Sequence, residues 1–331
     1  MRSEINEKVL TLPNILHESV PQGNSDEDNI EVRSWGKPGK PGFDLKHHGE
    51  FAVSLDLADF ERAVKISGTG FYILKGGLAL MDLTLMRLAV DYLTKKDYVL
   101  IEPPLLMRRK PYEGVTDLSD FESVMYKVDG EELYLIATSE HPIAAMHMNE
   151  ILDEEELPLK YCGISTCFRR EIGKHGLDER GLFRVHQFNK IEQFIFSKPE
   201  DSWSFHEELI ENAEEITRKL DIPYRVVNVC TGDIGTVAAK KYDIEGWSPR
   251  EGKYIELMSC SNCTTYQSAR LNVKYVSKGK KEYVHTLNST EIATARMLRL
   301  ILENYQREDG GLEVPKALRP YMNGVKKFSP K

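Results

Sequence analysis

Apolar residues recur at helical spacing between Leu78 and Leu93, in two stripes. Leu78, Met81, Leu85, Leu88 and Tyr92 form one; Leu83, Met86, Val90 and Leu93 form the other. A helix apolar on two sides is covered on two sides. Its own sheet supplies one cover, and either more of the same core or a second copy of the chain supplies the other. Residues 98–106 (YVLIEPPLL) are rich in β-formers and stopped by Pro103 and Pro104, which predicts a strand. Further strands are predicted over 124–128, 133–138, 159–166, 224–230, 254–260 and 271–276. Ser197-x-x-Glu200 reads as a capping box. The helix after it carries Phe205, Leu209, Ala213, Ile216 and Leu220 at steps of four and three. A last helix is predicted over 291–305, ahead of the stop signal Asp309-Gly310-Gly311. Strands grouped with few intervening helices predict an α+β fold: a mainly antiparallel sheet flanked by helices, not a doubly wound parallel one. Residues 1–50, with loop-rich stretches at 19–29 and 35–43 and a helical stub over 4–10, read as a lead-in.

The chemistry concentrates in residues 168–194, FRREIGKHGLDERGLFRVHQFNKIEQF. Side chains alternate faces along a strand, so numbering parity sorts them. Arg169 and Glu171 share a face on the first strand. Arg184, His186, Phe188, Lys190 and Glu192 share a face on the return strand, with Val185 and Ile191 opposite. If 172–182 closes an antiparallel hairpin, these charges gather on one surface around a phenylalanine. That surface is either a solvated outer face, with cross-strand ion pairs worth roughly 0.2–1 kcal/mol each, or a site for a charged ligand. Phe188 favours the ligand. A purine wants a π-face, and phosphate oxygens want guanidinium forks. The chain has no GxxxxGK[ST] and no convincing GxGxxG, so a nucleotide here needs a cradle of another design.

Composition narrows the classes. With 331 residues, 41% hydrophobic and 29% charged, the chain reads as an ordinary globular protein. It has no apolar run long enough to span a membrane, and MRSEINEKVL has no signal-peptide pattern. An odd count of five cysteines then predicts reduced thiols and a cytoplasmic location. A net charge of −8 argues against nonspecific nucleic-acid binding by the whole surface, though not against a local basic patch.

FRREIG…RGLFRVHQFNKIEQF resembles motif 2 of the class II aminoacyl-tRNA synthetases, in the form carried by seryl-tRNA synthetases. Residues 80–106 (LMDLTLMRLAVDYLTKKDYVLIEPPLL) resemble motif 1, the dimer-forming helix and strand that ends in proline. Residues 287–306 (LNSTEIATARMLRLILENYQ) resemble motif 3, with Arg296 in its arginine position. ATSEHP (137–142) is similar to the family's TxE segment, and ELMSCSNCTTYQSARL (256–271) to its C-S-N strand. The likeness runs over residues 10–322 in the family's order. CSNCTTYQ and VPKALRPYM make it closer to the archaeal and eukaryotic cytosolic members. The resemblance implies the class II catalytic fold over 51–331. Family members also carry an N-terminal coiled-coil arm that grips serine tRNA. Residues 1–50 match the end of that arm and its linker, so an arm-less paralogue or a truncated form is expected.

The implied reaction has two steps. The carboxylate of L-serine attacks the α-phosphate of ATP, and the seryl-adenylate then acylates the terminal ribose of tRNA(Ser). The first step needs positioning and charge stabilisation more than acid–base chemistry. By similarity, Arg169 bridges the serine carboxylate and the α-phosphate. Glu171 sits at the adenine amino group or a nearby ordered group, Val185 lies beside the nucleotide, and Arg170, Leu257 and Met258 join the ATP site. Phe188 stacks on adenine, while Arg296 covers the other face or meets the γ-phosphate. Glu256 and Ser259 hold Mg²⁺ against the phosphates, since hard oxygen ligands suit that ion. Thr138, Ser139, Glu140, Arg169, Glu192 and Thr290 receive serine. Glu192 reads its amino or hydroxyl end, and Thr290 lines the side-chain pocket. Hydrogen-bonding the hydroxyl rejects alanine, and size rejects threonine. Lys174, His175, Asp178, Glu179 and Arg180 meet the tRNA acceptor end, and a homodimer is expected. Glu291, where the family often has a small residue, is read as a tolerated carboxylate at a helix N-terminus.

Two other readings remain open at this level: a paralogue that passes the activated amino acid to a carrier protein, and a noncatalytic dimeric regulatory module. Cys260-x-x-Cys263, with Cys162 and Cys167, invites a zinc reading, against which stands the packing of thiols in a strand where the resemblance implies no metal. His186 is expected to orient neighbours on the site face. His147, His206 and His285 are read as core or surface residues, and His47-His48 as exposed.

Overall fold

The structure, a computed structural model, describes residues 8–118, 122–171 and 181–330. Eight strands form one large sheet: β1 (Ile30–Trp35), β2 (Val99–Ile101), β3 (Leu159–Phe168), β4 (Gln187–Ser197), β5 (Tyr224–Asn228), β6 (Lys240–Ser248), β7 (Lys253–Thr264) and β8 (His285–Ala293). Their order is β1-β5-β6-β7-β8-β4-β3-β2, and all neighbours are antiparallel except β2, which runs parallel to β3. The expected α+β architecture is therefore present. So is the hairpin pairing of β3 with β4, in which Cys167 lies opposite Phe188 and Gly163 opposite Glu192.

Four helices matter for the site: α1 (His48–Ser54), α2 (Gly76–Thr94), α3 (Ser202–Lys219) and α4 (Thr294–Asn304). α2, α3 and α4 cover one face of the sheet, burying Leu78, Met81, Leu85, Leu209, Ala213, Ile216, Leu298 and Ile301 against Ile191, Ile195 and Leu287. Each Leu, Ile or Met side chain buried in this way contributes on the order of 1.5–3 kcal/mol. The opposite face is filled at one end by Phe194 and Phe196, packed with Tyr112, Tyr134, Ile143 and Tyr161. The rest of that face stays open.

Several sequence expectations change. The stretch 124–128 is no strand: Glu122–Val124 is a 3-10 turn, and only Lys127 makes a lone bridge, to Tyr134. Ser197 does not cap a helix. It remains in the β4 ladder opposite His285, its Oγ donates to the Lys198 carbonyl, and α3 starts at Ser202 behind Asp201. The strand expected from Leu271 starts at Lys274, because Tyr266–Leu271 is a helix closed by Asn272 at φ 57°. β2 is short because Pro103 and Pro104 cannot donate to a ladder. Of the second stripe on α2, Val90 and Leu93 are buried within the chain while Leu83 is 58% exposed, so the outer cover is needed only around Leu83. The lead-in before residue 50 joins the sheet, since β1 pairs with β5 at its edge. Of the expected stub, Lys8–Leu10 are helical and the remainder lies outside the described residues.

Candidate active site

The open face is assembled from β3, β4, β6, β7 and β8, and two β-bulges decide which residues reach it. Between Ile244 and Glu245 the pairing of β6 with β7 slips by one residue, leaving Leu257 as the extra residue. Without the slip, Glu256 and Ser259 would point to opposite faces. With it, both stand on the open face, Ser259 opposite Asp243 and Glu256 opposite Glu245. In β8 the slip falls between Thr290 and Ile292. It leaves Thr290 opposite Glu192 on the open face, returns Ile292 to the core opposite Ile191, and places Ala293 opposite Lys190.

One cleft is lined by Arg169, Glu171, Phe183, Val185, Phe188, Lys190, Glu256, Leu257, Ser259, Thr290 and Arg296. The Arg169 guanidinium lies 5.3 Å from the centre of the Phe188 ring, and its Nε donates to the Ala137 carbonyl at 3.4 Å. Arg184 Nη1 donates to Glu171 Oε2 at 3.3 Å. Arg296 stands over Phe183 at 5.4 Å and donates to both the carbonyl and Oε1 of Glu256 at 3.1 Å. That contact holds the Glu256 carboxyl below the usual carboxylate range.

Deeper along the same face is a pocket of buried polar groups. Lys190 Nζ donates to Thr138 Oγ1 at 2.9 Å and pairs with Glu192. Thr138 Oγ1 donates to Glu192 Oε2 at 3.4 Å and accepts from the Glu140 N–H at 3.2 Å. Breaking such a buried pair by deleting one partner costs roughly 3–5 kcal/mol. Burial raises the Glu192 pKa, and burial together with Glu192 pushes Glu140 up to about 7. Glu192 Oε1 and Ser139 Oγ meet no hydrogen-bond partner among the described residues. Gly163, opposite Glu192, leaves the space: a Cβ there would lie 2.8 Å from Ser139 Oγ and 2.5 Å from Ile143 Cδ1.

Residues 124–305 match the family model "tRNA synthetase class II core domain (G, H, P, S and T)". The serine–tRNA ligase of Methanoculleus marisnigri is 61% identical over 320 residues, 96% of this chain and 75% of that protein. Among solved structures, the seryl-tRNA synthetase from Pyrococcus horikoshii complexed with ATP superposes with a TM-score of 0.97 at 48% identity, covering 100% of this chain and 78% of that one. The cytoplasmic serine–tRNA ligase of Naegleria fowleri in complex with AMP gives 0.94 at 44% identity, with 100% and 79% covered. The chain belongs to the seryl-tRNA synthetase family.

The structure thus gathers Arg169, Glu171, Val185, Phe188, Glu256, Leu257, Ser259, Thr290 and Arg296 into one cleft, with Thr138, Ser139, Glu140 and Glu192 adjoining it. It separates others assigned through the family's motifs. Met258 is buried opposite Ile244 on the helix-covered face, and Arg170 is exposed, its N–H donating to the Val124 carbonyl at 2.7 Å. Parity also fails just before β4. The strand begins at Gln187, so Val185 turns into the cleft while His186 stacks on Phe71 at 5.1 Å and meets Tyr126. Glu291 lies in β8 and not at a helix start, and it is fully buried. Lys174, His175, Asp178, Glu179 and Arg180 lie outside the described residues.

Sequence reasoning missed Phe183, which lines the cleft between Arg296 and Arg299, and the Lys241–Asp243 pair at 3.4 Å on the open face. Burial pushes Asp243 up to about 7. The alternation of Lys241 and Asp243 in a strand was the available signal. The thiols of Cys260 and Cys263 are buried with different partners. Cys260 Sγ donates to the His206 carbonyl at 3.6 Å, and Cys263 Sγ accepts from Asn288 Nδ2 at 3.5 Å. Among the described residues no three His, Cys, Asp or Glu side chains are placed to hold a metal ion. His48, expected to be exposed, is buried at the start of α1.

Proposed function

We propose that the chain activates L-serine with ATP and transfers the seryl group to tRNA(Ser). One observation carries the reading: a cleft built from guanidinium groups and a phenyl ring opens onto a buried pocket whose acceptor, Glu192 Oε1, has no donor among the described residues. In the first step a serine carboxylate oxygen bonds to the α-phosphorus of ATP, the bond to the β-phosphate breaks, and pyrophosphate leaves. Arg169, at the junction of cleft and pocket, holds the serine carboxylate and the α-phosphate together. Its planar fork neutralises both anions, which favours the attack by proximity and by charge stabilisation. Phe188 offers its ring to adenine, with Glu171 and Val185 alongside and Arg296 at the other wall. The serine ammonium supplies the donor that Glu192 Oε1 lacks among the described residues, with the Glu140 carboxyl beside it. Thr290 takes the serine hydroxyl, so alanine would leave buried polar groups unpaired.

Glu256 and Ser259 suit Mg²⁺: a carboxylate and a hydroxyl on one face, both hard oxygen ligands. Bound there with ATP, the ion offsets phosphate charge. Residues 51–331 carry this chemistry in the proposed division. The chain also acts as a homodimer in the cytoplasm. Supporting the dimer, Leu83 on α2 and Val99 and Leu100 on the edge strand β2 are exposed, as are Leu105 and Leu106 beyond it. No helix among the described residues is long and apolar enough to cross a membrane.

ATP–pyrophosphate exchange with each amino acid, followed by charging of serine tRNA, tests the activity. Exchange with serine and charging are expected. Exchange without charging would confine the activity to the first step, and no exchange with serine would refute the proposal.

A further inference from the structure

We infer that His48 is a positioning residue for ATP: its imidazole pins the backbone at Leu182 so that Phe183 and Val185 close the nucleotide cleft. The inference rests on reading that cleft as the ATP site. His48 is fully buried at the first turn of α1, far in sequence from the cleft residues. The Leu182 N–H donates to its Nε2 at 3.1 Å. That nitrogen must therefore carry no proton, and the ring proton sits on Nδ1, which faces Glu303 Oε1 at 3.5 Å.

Glu303 fixes two arms at once. Burial alone would raise its pKa, yet His48, Arg299 and Ser248 hold it at about 2, so it stands as a carboxylate. Besides facing His48, it accepts from Ser248 Oγ at 2.5 Å and from Arg299 Nε at 3.0 Å. The Arg299 guanidinium in turn lies 4.4 Å from the centre of the Phe183 ring, which Arg296 covers at 5.4 Å. One buried carboxylate thus orients the imidazole under Leu182 and the cation against Phe183. Gly181 makes the approach feasible. Its φ is +84°, and a Cβ there would lie 2.5 Å from His48 Nε2. Phe183 and Val185 follow directly and line the cleft with Arg169, Phe188 and Arg296. None of the imidazole's atoms needs to touch ATP for this role.

The test uses the full chain. ATP affinity is read by titration calorimetry, and KM and kcat by serine-dependent exchange. His48→Leu removes the acceptor at similar bulk, while His48→Gln keeps an amide oxygen within reach of the Leu182 N–H. His48→Leu is expected to weaken ATP binding on the order of tenfold, with serine KM and kcat changed by less than about threefold. His48→Gln is expected to restore most of the ATP affinity. Unchanged ATP binding in His48→Leu, or equal damage in both variants, would overturn the inference. If His48→Leu fails to fold, Gly181→Ala carries the test. It crowds the same contact and must weaken ATP selectively; unchanged affinity there overturns the inference as well. Loss of serine-dependent exchange in the unaltered protein, with ATP still bound, would sink the proposed activity and leave the positioning role to the calorimetric result.

Discussion

Glu291 gives a prediction whose sign and size follow from its surroundings. It is the extra residue of the β8 bulge, fully buried, and neither carboxyl oxygen has a hydrogen-bond partner among the described residues. The nearest favourable charge is Lys96, whose ammonium is already given to Asn212 at 2.6 Å and lies 4.9 Å from the Tyr92 ring centre. Burial therefore raises the Glu291 pKa well above its ordinary value of 4.5, outweighing the opposing charge of Lys96. A carboxyl whose folded pKa is raised keeps its proton in the native state and releases it on unfolding. Its contribution to stability is fully present below the unfolded pKa and is lost as pH rises toward the folded one. Each pH unit in that window removes up to about 1.4 kcal/mol. Glu291→Gln keeps the shape of the protonated acid and removes the titration. Urea unfolding of both proteins, at one protein concentration and between about pH 5 and 7, reads the difference. The variant should gain on the parent as pH rises, by up to about 1.4 kcal/mol per pH unit, a tenfold change in the unfolding constant at most. Parallel pH profiles would show that this carboxyl is not titrating as a buried, unpartnered acid.

Three further outcomes are expected. Arg169→Ala should lower the rate of serine-dependent exchange by at least about a hundredfold, the scale of losing one preorganised donor at a developing charge; near-normal exchange would refute its assigned role. Serine binding should weaken as pH falls through about 7, because Glu140, pushed up to about 7 by burial and Glu192, is then protonated before the ammonium arrives; a calorimetric affinity that is flat across that range would contradict the pairing. Leu83→Glu, at an exposed apolar position on α2, should convert the proposed dimer to a monomer in sedimentation equilibrium. A monomeric parent protein would remove the dimer proposal.

Much of the fold was legible where one period persists. The α2 stripe, the α3 steps and the long alternation of β3 and β4 are each set by local spacing. On β4, Phe188, Lys190 and Glu192 share a face as parity requires, because the ladder from Phe168 to Leu159 runs without a slip. What sequence could not place were the slips themselves. A β-bulge has no period, so Met258 was grouped with Glu256 and Ser259 although one extra residue turns it into the core. Glu291 was read as helix for a related reason: the motif continues into α4 without a stop, and only the pairing of β8 with β4 shows where strand ends. His48 was invisible because its partners, Leu182 and Glu303, are distant in sequence and meet it only after folding. The TxE pocket was legible by resemblance, but the Lys190–Glu192 pair that organises it needed the register.

A crystal structure with a nonhydrolysable seryl-adenylate mimic tests the central claim most directly. The account predicts adenine against Phe188, the phosphate mimic at Arg169, and the seryl ammonium at Glu192 and Glu140 with its hydroxyl toward Thr290. Density for the mimic elsewhere on the molecule, or a seryl group pointing away from Glu192, would contradict it.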